Sequence, residues 1–281
     1  MHTVSFIGTG NVAYRLSLAF KQRGILVKYI HGRNHEEGVK FAGILNKIEY
    51  NLLGEKNITQ FSNNITDLFN SDIILLTVSD SAIHEVENSL ISAYKSLCQS
   101  KETVEEKKFI IAHTSGANPI TMDNINNLTF AVFYPLMTLS KIKPVEMKLV
   151  PFLLEAHDKS TEEVLISLVN QLGSEYKICN SDERLKTHAS AVFISNFVNY
   201  LTGLAFKAGA PNQMFLMPLA LETVRKAFLY EDPEKVQTGP AVRGDFSTIE
   251  KHLNVLKDMP EQREVYEFLT DKILKKYNKT K

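Results

Sequence analysis

Two groups of residues in this chain have the types and spacing that chemistry needs. The first is Gly8, Gly10 and Ala13 in "TVSFIGTGNVA", a G-x-G-x-x-A pattern near the start of the sequence. The first glycine permits a tight turn, the second lets backbone approach a diphosphate, and Ala13 lets a helix pack closely on a strand. Asn11 and Val12 would open that helix, whose free N–H groups and dipole favour an anion. The second group is a polar stripe. At helical spacing His188, Ser195, Asn199 and Thr202 share one side, with Asn196 at its edge, while Ile194, Phe197, Val198 and Leu201 lie outside it. Histidine suits proton transfer near neutral pH, and Asn amides can orient a substrate or a water. The same stripe could instead face solvent or form a hydrogen-bonded seam between subunits.

Smaller signals surround these two. At the end of the second strand, "YIHGRN", no acid stands where an NAD site offers one to the ribose hydroxyls; Arg33 and Asn34 stand there instead. A guanidinium suits a ribose 2′-phosphate by charge and by fork geometry, so NADP is expected ahead of NAD. The lesser alternative for Arg33 is a solvated surface residue. Asn34 also reads as the N-cap of the next helix, with Glu37 closing a capping box. Val78 and Ser79 end a later strand where a bound dinucleotide would pass, and "TSGANP" places the Ser115 hydroxyl near the expected nicotinamide position. "YPLMTLS" offers Tyr134 and Thr138. In "TGPAVRGD", Arg243 could pair with a substrate carboxylate while Asp245 orients it, or the two could be an ion pair in a rigid linker.

These residues need a scaffold of strands and helices. Strand candidates fall at residues 3–7, 26–31, 72–78, 109–113, 129–133, 152–156 and 175–178, alternating with helical stretches. That is the pattern of an α/β domain on a mostly parallel sheet, a Rossmann dinucleotide-binding domain given the glycine turn. From Ser181 the reading is nearly all helical, over 182–208, 212–230, 246–258 and 260–277. The expected domains are therefore 1–180 and 181–281. The charged excursion "KETVEEKK" reads as solvated surface.

Composition narrows the function classes. The 32 Lys and Arg cancel the 32 Asp and Glu, with no basic block, so no nucleic-acid partner is expected. No uninterrupted apolar run of spanning length is evident, so no membrane partner is expected either. The two cysteines, Cys98 and Cys179, are far apart, which fits a reducing, cytoplasmic setting and no metal site.

Taken together, the glycine turn, "HTSGA" at His113, "FYPLMTLS" at Phe133, "HASAVFISNFVNY" at His188, "ETVRK" at Glu222 and "TGPAVRGD" at Thr238 resemble one family. It is the family of Rossmann-like candidate NADP oxidoreductases whose C-terminal part is domain of unknown function 2520. In layout it is similar to pyrroline-5-carboxylate reductase and 6-phosphogluconate dehydrogenase. The resemblance implies a helical C-terminal domain like that of 6-phosphogluconate dehydrogenase, a homodimer formed through its helices, and hydride transfer to a small substrate in an inter-domain cleft. The β-hydroxyacid relatives use a Lys with an Asn four residues on; here Lys186 is followed by Ser190, so that mechanism is not carried over. Met137 and Tyr200 depart from the Gln and His usual in the family.

The expected function is thus NADP-dependent oxidation or reduction of a small, anionic carbonyl, imine or hydroxyl compound. Gly8, Gly10, Asn11, Val12, Arg33, Asn34, Val78 and Ser79 are the expected cofactor contacts, and His188, Asn196, Asn199, Ser115 and Arg243 the expected catalytic set. The alternative is a non-catalytic NADP(H)-binding regulatory or scaffolding dimer.

Overall fold

The computed structural model describes residues 2–48, 58–100, 107–230 and 232–279, so most of the "KETVEEKK" excursion lies outside the described residues. The chain divides into two compact units, Met1–Ala191 and Val192–Lys281. The strands end near Cys179, where the sequence suggests a boundary, while the division itself falls inside a helical run.

In the first unit the described strands form an eight-stranded sheet in the order β3-β2-β1-β4-β5-β6-β7-β8. They are β1 (Thr3–Ile7), β2 (Leu26–His31), β3 (Gln60–Phe61), β4 (Ile73–Leu76), β5 (Phe109–His113), β6 (Leu128–Pro135), β7 (Phe152–Ala156) and β8 (Tyr176–Ile178). All neighbouring pairs are parallel except β6 and β7. The reversal between β1 and β4 makes a topological switch point, the place where open α/β sheets bind ligands. Apolar residues on both faces explain why the central strands β4 and β5 read as continuous hydrophobic runs. Val4, Phe6, Ile73 and Leu75 join one core with α1 (Asn11–Gln22) and α4 (Lys159–Leu172). Ile7, Ile74, Leu76 and Ile111 join the other, with α3 (Ile83–Ser100). The helix α2 (His35–Leu45) packs beside β2 and β3.

The second unit is helical. The run that begins as α5 (Ser181–Val192) continues through a π turn at Phe193–Phe197 into α6 (Val198–Ala208). It is followed by α7 (Met217–Leu229), α8 (Pro240–Arg243), α9 (Phe246–Val255) and α10 (Pro260–Lys276). The run Ser181–Ala208 contains a window of mean hydropathy 1.3, long and apolar enough by composition to span a membrane. Ser, Asn and Thr residues of the stripe interrupt that run.

Candidate active site

The glycine turn sits at the switch point. Gly8 adopts φ 116°, and a Cβ there would stand 2.6 Å from the Thr77 carbonyl, so only glycine fits between β1 and the end of β4. Gly10 differs: it is exposed, and a Cβ on it would meet nothing nearer than the same carbonyl at 4.0 Å. Behind it α1 starts with no side-chain cap and no acid in its first turn. Its N–H groups are thus left for an outside acceptor, and the dipole favours an anion there. Asn11 is exposed, and Val12 is half-buried against the core. This open backbone cradle fits a dinucleotide diphosphate.

The carboxyl edge of the sheet carries the other candidates on either side of this cradle. Arg33 is exposed after β2 and, among the described residues, makes no ion pair or hydrogen bond. Asn34 caps α2, accepting from the Glu37 N–H at 3.1 Å. Glu37, however, does not close a capping box. Its carboxylate pairs with Lys141 at 3.0 Å, because a charged partner outcompetes a neutral backbone N–H. Val78 and Ser79 follow β4, half-buried and exposed respectively. Ser115 is buried, and its Oγ accepts from the N–H groups of Ala117 and Asn118 at 3.1 and 3.0 Å. Its hydroxyl therefore organises the turn after β5 and is not presented outward, as the sequence reading expected.

His188 is brought to this edge from α5. Its Nδ1 lies 2.9 Å from the Tyr134 hydroxyl at the end of β6. Burial, helped by the charge of Asp80, pushes the Tyr134 phenol above its ordinary pKa, so the hydroxyl keeps its proton. The His188 ring is half-buried, and a neutral imidazole that accepts at Nδ1 carries its proton on Nε2. Gly116 makes this pairing possible: a Cβ there would lie 2.5 Å from His188 Nδ1 and 2.7 Å from the Tyr134 ring.

One helical turn before His188, Arg184 is fully buried. Its guanidinium pairs with Glu155 on β7 and donates to the Asn118 carbonyl, while the Asn118 amide donates to the Asp80 carbonyl at 2.7 Å. The loops after β4 and β5 are thereby tied to α5. Ser181 Oγ adds a bond to Glu155 at 2.9 Å. Beneath them His113 is buried, its pKa pushed down to about 4 by desolvation and by the Arg184 charge. Sequence reasoning missed Arg184, because "SDERLK" looks like a solvated first turn. Its spacing of four before His188 was the available signal.

The other expected catalytic residues belong to the second unit. Asn196 and Asn199 are exposed. The stripe linking them to His188 assumed unbroken 3.6-residue turns, and the π turn at Phe193–Phe197 breaks that count. Arg243 is exposed at the end of α8 and makes no ion pair among the described residues. Asp245 caps α9 instead, accepting from the Thr248 N–H at 3.1 Å and its hydroxyl at 2.7 Å. Among the described residues no group of three His, Cys, Asp or Glu side chains could hold a metal.

Comparison with known proteins now adds to this geometry. The model of the family "Domain of unknown function (DUF2520)" matches residues 150–273. The chain carries a DUF2520 domain. That domain begins just before β7, so it supplies Glu155, Arg184 and His188, and it meets Tyr134 and Gly116 from the preceding strands. Among solved structures, a candidate NADP oxidoreductase from Bacteroides fragilis matches at 27% identity and TM-score 0.78, covering 98% of each chain. An imine reductase variant from Myxococcus stipitatus in complex with NAD+ matches at 14% and TM-score 0.56, covering 99% of this chain and 94% of that one. Pyrroline carboxylate reductase from Plasmodium falciparum with NADP bound matches at 11% and TM-score 0.55, covering 98% and 100%. The last two establish the fold. No curated protein sequence matches the chain.

Proposed function

We propose that this protein is an NADP-dependent oxidoreductase acting on a small, anionic carbonyl, imine or hydroxyl compound. The observation that carries this reading is the unbroken series along the carboxyl edge: Arg33 after β2, the uncapped start of α1 after β1, and the Tyr134–His188 pair over Gly116. The 27% identical Bacteroides fragilis structure, a candidate NADP oxidoreductase matched over 98% of each chain, supports it.

The chain's own residues do the following. Backbone at Gly8, Gly10, Asn11 and Val12 holds the diphosphate, and Arg33 with Asn34 takes the phosphorylated ribose. Val78 and Ser79 line the path between. The dinucleotide, when bound, supplies hydride chemistry. His188 gives a proton from Nε2 to the substrate or takes one there, and Tyr134 steadies the ring through Nδ1. Arg184 and Glu155 position α5, and Ser115 the loop beneath. Asn196, Asn199 and Arg243 remain candidates for orienting substrate and matching its charge. A homodimer through the C-terminal helices would cover their exposed apolar side chains, and the free cysteines Cys98 and Cys179 support a reducing, cytoplasmic setting.

Titration with NADPH and NADH, followed by nicotinamide fluorescence, tests the cofactor reading; it fails when neither nucleotide binds. His188→Ala should abolish turnover of carbonyl or imine acids while leaving NADPH affinity within about twofold, and Tyr134→Phe should cost roughly tenfold to a hundredfold in kcat. Wild-type protein that binds NADPH and turns over nothing would favour the regulatory alternative.

A further inference from the structure

The loop that follows β6 reaches back to the start of the sheet. Lys141 donates its backbone N–H to Asn11 Oδ1 at 3.0 Å, at the first residue of α1. Arg15, one turn further along α1, grips the loop by the carbonyls of Ser140 and Lys141. The Lys141 ammonium then extends to Glu37 in the first turn of α2, at 3.0 Å. That ion pair, with a further contribution from the Thr9 side chain in the glycine turn, holds the Glu37 carboxyl below its usual range. Lys141 thus bridges the N-termini of the two helices that flank the end of β2.

The fold does not require this ion pair. Both side chains are well exposed, at 39% and 47%, and exposed pairs contribute little stability. The loop is already anchored by its backbone bonds to Asn11 and Arg15. The chemistry around the pair points elsewhere. The Glu37 side chain reaches Thr9 in the glycine turn, which places an acid where one serves ribose hydroxyls in NAD sites. Lys141 occupies that carboxylate. Arg33, which follows β2, has no partner among the described residues.

We propose that Lys141 is a selectivity determinant for the phosphorylated dinucleotide, an inference that rests on the cofactor reading above. It masks Glu37 from an unphosphorylated ribose, and it leaves Glu37 to join Arg33 on a 2′-phosphate. Two cations then face one dianion, and the exchange replaces a screened surface pair with charge-assisted bonds to phosphate.

The test is binding, not turnover. NADPH, NADH, adenosine 2′,5′-bisphosphate and AMP are titrated calorimetrically into wild type, Lys141→Met, Glu37→Gln and Arg33→Ala. Loss of one charge-assisted contact should weaken NADPH and the bisphosphate about tenfold in Lys141→Met, while the unmasked Glu37 should tighten NADH and AMP a few-fold. Glu37→Gln, which frees the ammonium, should tighten NADPH a few-fold, and it carries the test if Lys141→Met fails to fold. The proposal is overturned if Lys141→Met weakens phosphorylated and unphosphorylated ligands equally, or if Glu37→Gln weakens NADPH. Should Arg33→Ala remove the NADPH preference while Lys141→Met keeps it, the cofactor reading stands and this inference alone falls. Wild type that binds neither nucleotide overturns both.

Discussion

The two units of this chain bury their residues very differently. Met1–Ala191 encloses two extensive cores, one on each face of the sheet, with aromatic contacts such as Phe133 against Phe152 at 4.7 Å and Phe69 against Phe109 at 5.3 Å. Among the described residues of Val192–Lys281, only Leu204, Ala241 and Ile249 are buried hydrophobics. Phe193, Phe197, Phe215, Leu219 and Phe228 are instead exposed, Phe215 at 83% and Phe228 at 70%. A helical segment of this size with so little interior cannot offset its ordering entropy by its own packing. Apolar surface on this scale marks an interface. The difference therefore separates a unit with cores of its own from one that leaves its large apolar side chains exposed, and a second copy is the occupant proposed above.

That contrast yields its strongest test in the second unit. With a second copy over the helices, wild type scatters light as a dimer at micromolar concentration and its unfolding midpoint rises with protein concentration. Phe228→Asp would bury a charge in each subunit and should convert the protein to monomer, lowering the midpoint by several degrees. A monomeric wild type breaks the comparison as drawn. In the first unit Phe133→Ala should cost about 3–5 kcal/mol by cavity formation, independently of protein concentration, as read from urea midpoints at two concentrations. A concentration-dependent loss there would show that the first unit also relies on the partner.

How much was legible from sequence follows the same divide between local and long-range causes. The bounds of β1, β2, β5 and β7 coincide with those read from sequence, most directly in β5, where a strand buried on both faces writes itself as a continuous hydrophobic segment. The two-residue β3 and the four-residue α8 are too short for any periodicity to register. The π turn has no composition signal, and it undid the stripe built on uniform helical phase. At the site, the glycine turn was readable because its function is carried by neighbours in sequence. Tyr134 with His188, Glu155 with Arg184 and Lys141 with Glu37 were not, because each pair is joined only by the folding of the sheet edge.

A smaller effect, in pH, should report on the first unit alone, because its interior holds two titratable groups with large shifts in opposite directions. His113 falls from 6.5 to about 4, so the unfolded chain binds its proton first, and its contribution to stability is lost as pH drops from about 6.5 to 4. Glu87, buried on α3, rises from 4.5 to about 7 by desolvation. The folded chain holds that proton longer, so its contribution is full below about 4.5 and is lost as pH rises through 7. Between about 4.5 and 6.5 the two oppose each other and flatten the profile. Glu87→Gln keeps a neutral polar side chain and removes the opposing titration, so its urea midpoint should climb more steeply with pH across that window than wild type. His113→Gln should do the reverse, losing stability as pH rises. Parallel profiles for wild type and both variants would mean that neither group is buried as the fold places it, and the first unit's interior would need redrawing.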